Sequence, residues 1–146
     1  MRTLKFRAWD KRHNCMWQTG QEGESIGEWT FQTYFDPNTR ELKAVIYIES
    51  DVGFTQMCTR EEELPLMQYT GLHDNKHTAE YPDGQQIYEG DICLLDKNYG
   101  DMTYSIVFDY GCFMAQMVPY KENRCELMTI YHKLEVVGNI YEKEVT

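Results

Sequence analysis

The sequence has few of the residues that favour helices. Only four of its 146 residues are alanine, the residue with the highest helix propensity. Aromatic residues make up 14% of the chain, and aromatic side chains favour strands. We therefore expect a mainly β protein. A chain of this length buries roughly two-thirds of its unfolded surface, which is enough for one domain or two small lobes to fold independently.

The cysteines do not form the patterns of disulfide or metal sites. The chain has five of them, Cys15, Cys58, Cys93, Cys112 and Cys125. An odd number without any Cys-x-x-Cys pair argues against a disulfide framework and against a zinc ribbon. Cys93 and Cys112 lie in apolar, strand-like runs, so we expect buried structural thiols there. We predict no metal and no cofactor.

The motifs of common hydrolases and nucleotide-binding proteins are also missing. The chain has three serines, Ser25, Ser50 and Ser105. None lies in a Gly-x-Ser-x-Gly elbow, and the scattered glycines form no Gly-Lys-Ser/Thr loop. A cysteine hydrolase would need Cys112 or Cys125 with His132, but the Gly-Cys-Phe context of Cys112 is more typical of a hairpin in which the cysteine fills space. We predict that the protein is not an enzyme, with a hydrolase of unrecognised site as the alternative.

No long apolar segment is present. A helix that spans a bilayer needs about 20 predominantly apolar residues, and no stretch of this chain approaches that length. The basic residues near the start are followed by Trp-Asp-Lys-Arg, whereas a signal peptide continues into an apolar core. We expect a cytoplasmic protein that has no membrane partner.

Positive charge is scarce in the second part of the chain. Residues 1–60 hold eight Lys and Arg and eight Asp and Glu, whereas residues 61–146 hold six and sixteen, which gives a net charge of −10. An acidic surface repels a phosphate backbone, so nucleic acid is not the partner we expect. Any contact with DNA would have to come from the basic residues of the first twelve. Those residues are Arg2, Lys5, Arg7, Lys11 and Arg12.

Alternating apolar and polar residues predict strands in the first part of the chain. Alternation from residue 4 onward predicts a strand over 3–9. A hairpin is predicted from 29–35 and 42–48, which an Asp-Pro-Asn-Thr turn joins. Thr59 followed by acidic residues predicts a single helical turn over 59–63. The other predicted segments are a strand at 15–17, a loop at 19–28 and strands at 51–58 and 67–70.

From residue 85 onward, short apolar runs alternate with turns at regular spacing. Gly90-Asp91 is typical of such a turn, because glycine tolerates a positive φ and aspartate bonds nearby amides. Five or six strands at this spacing predict a small closed barrel of the SH3-like kind. The predicted strands are 85–88, 91–95, 103–108, 112–118, 126–131 and 134–141. The predicted organisation is a β-rich portion over 1–72, a connector over 73–84 and the SH3-like barrel over 85–146.

Four segments carry a family resemblance. They are Lys-Phe-Arg-Ala-Trp-Asp at 5–10, Leu-Met-Gln-Tyr-Thr-Gly-Leu at 66–72, Ile-Tyr-Glu-Gly-Asp-Ile at 87–92 and Glu-Val-Val-Gly-Asn-Ile-Tyr-Glu at 135–142. With these segments in this order, the chain resembles the YopX-like family of small proteins that bacteriophages and prophages encode. The resemblance spans nearly the whole chain. It implies an N-terminal β-rich portion that varies among relatives, a C-terminal SH3-like barrel and no established enzymatic role.

The family motifs also mark positions to which we assign structural roles. These positions are Trp9, Asp10, Tyr69, Thr70, Gly71, Tyr88, Gly90, Asp91, Gly138, Asn139 and Tyr141. The chain departs from the family pattern at 74–84, where relatives have a shorter turn. We interpret the difference as a loop extension.

Three polar groups are weighed as functional sites. Asp91 could be a general base or a ligand, but it has no partner at a characteristic spacing, and we interpret it as a turn residue. On a helix, His73 and His77 would share a face and could hold a metal, but their neighbours are loop formers and we predict surface histidines. His13 and Cys15 supply only two ligand atoms, which is too few for a zinc site.

Aromatic residues are the main candidates for a binding surface. The candidates are Trp9, Trp17, Trp29, Tyr34 and Tyr47, on predicted strands. Exposed aromatics are enriched at protein interfaces, although filling a thin core explains some of them equally well. Our hypothesis is a non-enzymatic phage accessory protein in the host cytoplasm, acting by protein–protein contact as a homo-oligomer. The alternative is a nucleic-acid-binding or DNA-mimic protein built on an SH3-like barrel.

Overall fold

A computed structural model of the chain describes residues 4–20, 24–52, 55–95, 102–118 and 120–142, without the side chains of 49–52 and 55–60. Nearly all regular structure in these residues is antiparallel β, so the predicted mainly β fold is confirmed. The chain divides into two compact units. The N-terminal unit is residues 5–67, and the C-terminal unit is residues 1–4 with 68–146. The predicted connector at 73–84 stays a prediction.

The N-terminal unit contains a hairpin and a four-stranded antiparallel sheet in chain order. In the hairpin, Arg7 lies opposite Gln18 and Asp10 lies opposite Cys15. The sheet has the order β3-β4-β5-β6. The strands are β1 (Phe6–Asp10), β2 (Cys15–Gln18), β3 (Ser25–Ile26), β4 (Trp29–Asp36), β5 (Glu41–Val52) and β6 (Thr55–Leu64). The hairpin predicted from 29–35 and 42–48 is therefore confirmed, and the predicted loop at 19–28 contains the short strand β3.

Alternation along β4 and β5 places one face of this sheet in a core. The core-facing residues are Trp29 and Phe31 on β4 and Ala44 and Ile46 on β5, all buried. The Trp17 ring from β2 stacks on Phe31, with centroids 5.2 Å apart. The opposite face of β4 and β5 carries the intervening residues, because successive side chains of a strand point to opposite sides.

The predicted helical turn at 59–63 and the separate strand at 51–58 are wrong. Residues 59–63 lie inside β6, which pairs with β5 from Val52 opposite Thr55 to Ala44 opposite Leu64. A single helical turn fixes several dihedrals for one hydrogen bond, whereas the same residues in β6 continue a ladder that is already formed. Tertiary pairing therefore overrides the capping preference of Thr59.

The C-terminal unit contains a five-stranded antiparallel sheet with the order β12-β11-β10-β9-β13. Its last strand in the chain therefore pairs with β9. Strands β7 and β8 also pair with each other and place Tyr69 opposite Tyr88. The elements are β7 (Leu66–His73), most of which lies in this unit, β8 (Gln86–Tyr88), β9 (Asp91–Leu95), β10 (Thr103–Asp109), β11 (Cys112–Val118), β12 (Arg124–Glu126), α1 (Leu127–Ile130), a 3-10 turn (Tyr131–Lys133) and β13 (Leu134–Asn139).

The predicted strand over 126–131 is wrong, because a short helix occupies 127–130. Helix α1 places Leu127 in the core of the unit, where its side chain is fully buried beside Ile87, Ile106 and Leu134. Strands β8 to β11 and β13 lie within two residues of their predicted bounds, whereas β12 begins at Arg124, before the predicted strand. The closure of this sheet into an SH3-like barrel stays a prediction.

Candidate functional site

Asp10, a family-motif position, is the acceptor at the centre of a buried cluster. Its side chain is fully buried at the end of β1. The Trp17 indole donates to Oδ2 at 2.9 Å, and the His13 backbone N–H donates to Oδ1 at 3.1 Å. The His13 Nδ1 atom lies 2.7 Å from Oδ2. Trp9, the neighbouring motif position, is also buried.

The chemistry of this cluster favours a structural role. Burial alone would raise the pKa of Asp10, but the hydrogen bonds from Trp17 and His13, with the nearby charge of His13, outweigh burial and lower the pKa. The carboxylate is therefore ionised, and each of its oxygens accepts a hydrogen bond. Burial and the charge of Asp10 raise the pKa of Cys15. A thiol whose pKa is raised is a poor nucleophile and a poor metal ligand, so His13 and Cys15 do not form a reactive pair.

The motif positions on β7 and β8 also make local contacts. The Tyr69 and Tyr88 rings pack with centroids 5.4 Å apart. The Thr70 hydroxyl donates to the Ile87 carbonyl at 2.7 Å and is itself buried. Gly71 has a φ of +86° and lies where the register of β7 and β8 shifts. This conformation favours glycine.

Gly90 and Asp91 form the turn between β8 and β9. Gly90 has a φ of +88°, and its carbonyl accepts the Ile140 N–H at 2.9 Å. The Asp91 side chain is buried, and its Oδ2 accepts the Tyr88 N–H at 2.7 Å. A local amide is thus among the partners of this carboxylate, as in the turns that aspartate commonly closes.

The last three motif positions, Gly138, Asn139 and Tyr141, lie at the end of β13 or just after it. The register of β13 against β9 shifts between Val136 and Gly138. The Asn139 side-chain oxygen accepts the backbone N–H groups of Tyr141 at 2.9 Å and Glu142 at 3.0 Å, which caps the chain reversal. Burial, together with the charge of Glu89, raises the pKa of Tyr141. The phenol is therefore neutral at physiological pH.

Asp74 is an important residue that sequence reasoning missed. It belongs to the segment interpreted as an exposed loop, yet its side chain is buried. Its Oδ1 accepts the N–H groups of Gln85 at 2.8 Å and Lys76 at 3.2 Å, and its Oδ2 accepts the Val136 N–H at 2.9 Å. One carboxylate thus joins both ends of the 74–85 loop to β13. The signal available in the sequence was an aspartate with a glycine ten residues later.

The histidines weighed as metal ligands are not brought together on a helix. His73 ends β7 and packs edge-on against Tyr69, whereas His77 is an exposed loop residue whose Nδ1 lies 2.7 Å from the Pro82 carbonyl. His132 is exposed in the 3-10 turn. In the part of the chain that the structure describes, no three His, Cys, Asp or Glu side chains group as a metal site requires.

The tryptophans are core residues and do not form a binding surface. Trp9, Trp17 and Trp29 are all less than 10% exposed. The alternative explanation, that aromatics fill a thin core, therefore accounts for these three. Tyr34 and Tyr47 lie on the opposite face of the N-terminal sheet, where Tyr34 is exposed and Tyr47 is half-buried.

An apolar groove lies in the C-terminal unit. Its volume is about 220 Å³. Phe108 and Met128 at the groove are 52% and 68% exposed, although both are large apolar side chains. Buried Leu127 lies at its base. The lining residues are Thr70, Leu72, Phe108, Gly111, Cys112, Phe113, Glu126, Leu127 and Met128.

A tight hairpin positions one wall of the groove. Tyr110 and Gly111 join β10 to β11 and have φ values of +51° and +77°, as a two-residue type I′ turn requires at both positions. The turn places Phe108 directly opposite Phe113. Their rings meet edge to face, with centroids 5.1 Å apart. Cys112, for which burial was predicted, is only half-buried in this wall, whereas Cys93 is fully buried as predicted.

The charges near the groove are mostly paired. Asp109 and Arg124 form an ion pair at 2.7 Å, and the Arg124 guanidinium lies 5.2 Å from the centre of the Tyr110 ring. Glu126 is the charged residue of the lining. The groove therefore combines an apolar interior with an acidic edge.

Comparisons with known proteins agree with the fold. The model of the YopX protein family matches residues 5–144. A crystal structure of the protein yopX from Bacillus subtilis is similar to this chain, with a TM-score of 0.51, 17% sequence identity and coverage of 97% of this chain and 94% of that one. The comparison with curated proteins gave no match. Among the described residues, no helix is long and apolar enough to cross a membrane. The match over nearly its whole length shows that this chain belongs to the YopX family.

Proposed function

We propose that this protein is a phage-encoded accessory protein of the host cytoplasm that acts without catalysis, by binding another protein through the apolar groove of its C-terminal unit. The observation that carries the proposal is the exposure of Phe108 and Met128 beside an apolar cavity. Contiguous exposed apolar surface, unlike single exposed apolar residues, marks interaction sites when it is large.

The size and chemistry of the groove support a protein partner over a small molecule. Its volume of about 220 Å³ lies below the roughly 300–1,000 Å³ of typical small-molecule pockets. It suits one or two apolar side chains that a partner would insert. Glu126 at its edge, with the net charge of −10, favours a partner whose surface near that anchor is basic.

The state of the buried carboxylates supports the absence of catalysis. Asp10 accepts hydrogen bonds from an indole and an amide, Asp74 from three amides and Asp91 from the amide of Tyr88. A catalytic carboxylate has to face a substrate, whereas these three bind the backbone or a neighbouring side chain of their own unit.

The positions of the basic residues support a protein partner over nucleic acid. Arg7 is buried, and Arg12 is paired with Glu62 at 3.2 Å while its guanidinium covers the Trp29 ring at 4.6 Å, which leaves Lys11 as an exposed cation of this segment. Counterion release at phosphates needs available Lys and Arg side chains. A DNA-mimic role, in which the acidic surface occupies a DNA-binding protein, is the alternative form of the proposal.

The test compares capture by three versions of the tagged full chain: the natural protein, Phe108→Ser and the control Tyr120→Ser. Tyr120 is 58% exposed but does not line the groove. We expect a protein that the natural chain and the control retain and that Phe108→Ser loses, with affinity for the purified partner lowered about tenfold or more. Equal retention by Phe108→Ser would contradict the proposal.

Two further measurements separate the alternatives. If light scattering shows an oligomer that Phe108→Ser converts to a monomer, the partner in the groove is a second copy. If DNA displaces the captured protein, the DNA-mimic form is supported. A chain that is strictly monomeric and retains no partner would refute both forms.

A further inference from the structure

The outer face of the N-terminal sheet carries a second concavity, separate from the groove. Its volume is about 310 Å³, and its lining comes from three neighbouring strands, β4, β5 and β6. The lining residues are Gln32, Tyr34, Val45, Tyr47 and Glu61. This face is opposite the buried core formed by Phe31, Ala44 and Ile46.

The strand register explains how this concavity arises. Gln32 pairs with Val45, Tyr34 lies two residues further along β4, and Tyr47 lies two residues further along β5. The two tyrosines therefore flank the row that contains Val45, one on each side. Val45 is small and only 8% exposed, so the two larger rings stand above it. The concavity, which we call the slot, therefore has a short aliphatic floor with an aromatic ring on each side.

The charge at this slot is negative. Tyr47 pairs with Glu61 across β5 and β6, which places a carboxylate beside one aromatic wall. The nearby cation, Lys43, is held by Asp36 at 3.1 Å and by Glu63 at 3.8 Å. The hydrogen bond to Asp36 raises the pKa of Lys43, so the lysine stays charged in that pair, and Glu61 is left as the charged residue of the lining.

We propose that this slot binds an arginine side chain of a basic protein partner. A guanidinium group is flat and cationic, stacks on tyrosine rings and pairs with a carboxylate in a fixed geometry. The slot offers both features together, in Tyr34 and Tyr47 as the rings and Glu61 as the carboxylate. The inference rests on the proposed function only in that the arginine belongs to a protein partner.

The test is an NMR titration of the ¹⁵N-labelled full chain with the peptide acetyl-Gly-Arg-Gly-amide. We expect saturable shifts centred on Tyr34, Val45 and Tyr47. The matched peptide that carries citrulline has the same shape without the charge, and it should bind about threefold to fivefold more weakly. Glu61→Gln should weaken arginine binding by a similar factor, whereas Glu28→Gln, an exposed carboxylate of the same unit, should leave it unchanged.

Several outcomes would overturn the inference. Equal binding of the citrulline peptide, shifts centred elsewhere or a Glu61→Gln variant that binds as the natural chain does would each do so. Tyr34→Leu provides a second check, because it removes one aromatic wall and keeps the charge. The Phe108→Ser variant should bind the peptide normally. If the slot binds arginine but capture through the groove fails, the proposed function fails while this inference stands. If capture through the groove succeeds but the slot does not bind arginine, this inference fails while the proposed function stands.

Discussion

Replacing Asp74 by alanine tests whether one buried carboxylate organises the C-terminal unit. The natural side chain accepts N–H groups from Lys76, Gln85 and Val136, at 3.2, 2.8 and 2.9 Å. Alanine removes all three acceptors and leaves the loop between 74 and 85 without its link to β13. Because Val136 is 62 residues away along the chain, the link is tertiary, and its loss should affect the whole unit.

The size of the effect follows from the exposure of each donor. A hydrogen bond to a charged acceptor contributes about 1.5–3 kcal/mol to stability. Lys76 is exposed, so water can replace the acceptor for its amide. The amides of Gln85 and Val136 are half-buried, and losing both bonds should cost about 3–6 kcal/mol. Since the total stability of a domain is about 5–15 kcal/mol, Asp74→Ala should leave the C-terminal unit marginally stable.

The assay must report on the C-terminal unit itself. The three tryptophans, at 9, 17 and 29, all lie in the N-terminal unit, so tryptophan fluorescence would miss the event. Amide hydrogen exchange by NMR follows Gln85 and Val136 directly. Asp74→Asn keeps one acceptor oxygen and should fall between alanine and the natural residue. Asp83→Ala, at an exposed position of the same loop, is the control. If Asp74→Ala stays within about 0.5 kcal/mol of that control, the reasoning is refuted.

Two further predictions concern stability. The pKa of Asp10 is lowered in the folded chain. Its stabilising contribution is therefore complete above the ordinary aspartate pKa of about 3.9 and is lost as pH falls through the folded value. Acid titration followed by Trp17 fluorescence should show this loss of stability, and Asp10→Asn should make stability less dependent on pH in that range. Gly84 has a φ of +92° and an added Cβ would collide with the Asp74 carbonyl oxygen, so Gly84→Ala should cost about 3 kcal/mol or more. The control Gly20→Ala, with a φ of +99° and open space around it, should cost only about 1–2 kcal/mol; equal melting temperatures for the two variants would contradict the collision.

The sequence predicts structure best where local chemistry determines it. The hairpin over 29–48 was predicted because alternation and a proline turn point to the same register. The strands at 103–108 and 112–118 were predicted because short apolar runs are separated by a turn, and the turn between them has the two left-handed residues of a type I′ turn. The failures at 59–63 and 127–130 have one cause. Pairing with β5 and burial of Leu127 are decided by distant residues, and neither is visible in a short window of sequence.

The candidate site was less predictable than the fold. The groove is assembled from 70–72, 108–113 and 126–128, three stretches that each resemble an ordinary strand. What distinguishes Phe108 is that it is exposed and also lines the groove, and both properties depend on which face the neighbouring elements leave uncovered. The composition shows that aromatic residues are abundant. It does not show which of them are buried, as the three tryptophans are, and which are exposed, as Phe108 and Tyr34 are.

Two sets of carboxylates in this chain differ in burial and in contacts, and the proposed function assigns them different roles. The buried ones, Asp10, Asp74 and Asp91, accept hydrogen bonds within their own units, which offsets their desolvation. Two exposed ones, Glu61 and Glu126, lie at the edge of an aromatic or apolar concavity. A charge at such an edge contributes little energy alone, but it selects partners whose charge is opposite. Aromatic and apolar side chains would then supply most of the affinity, and acidic side chains the choice of partner.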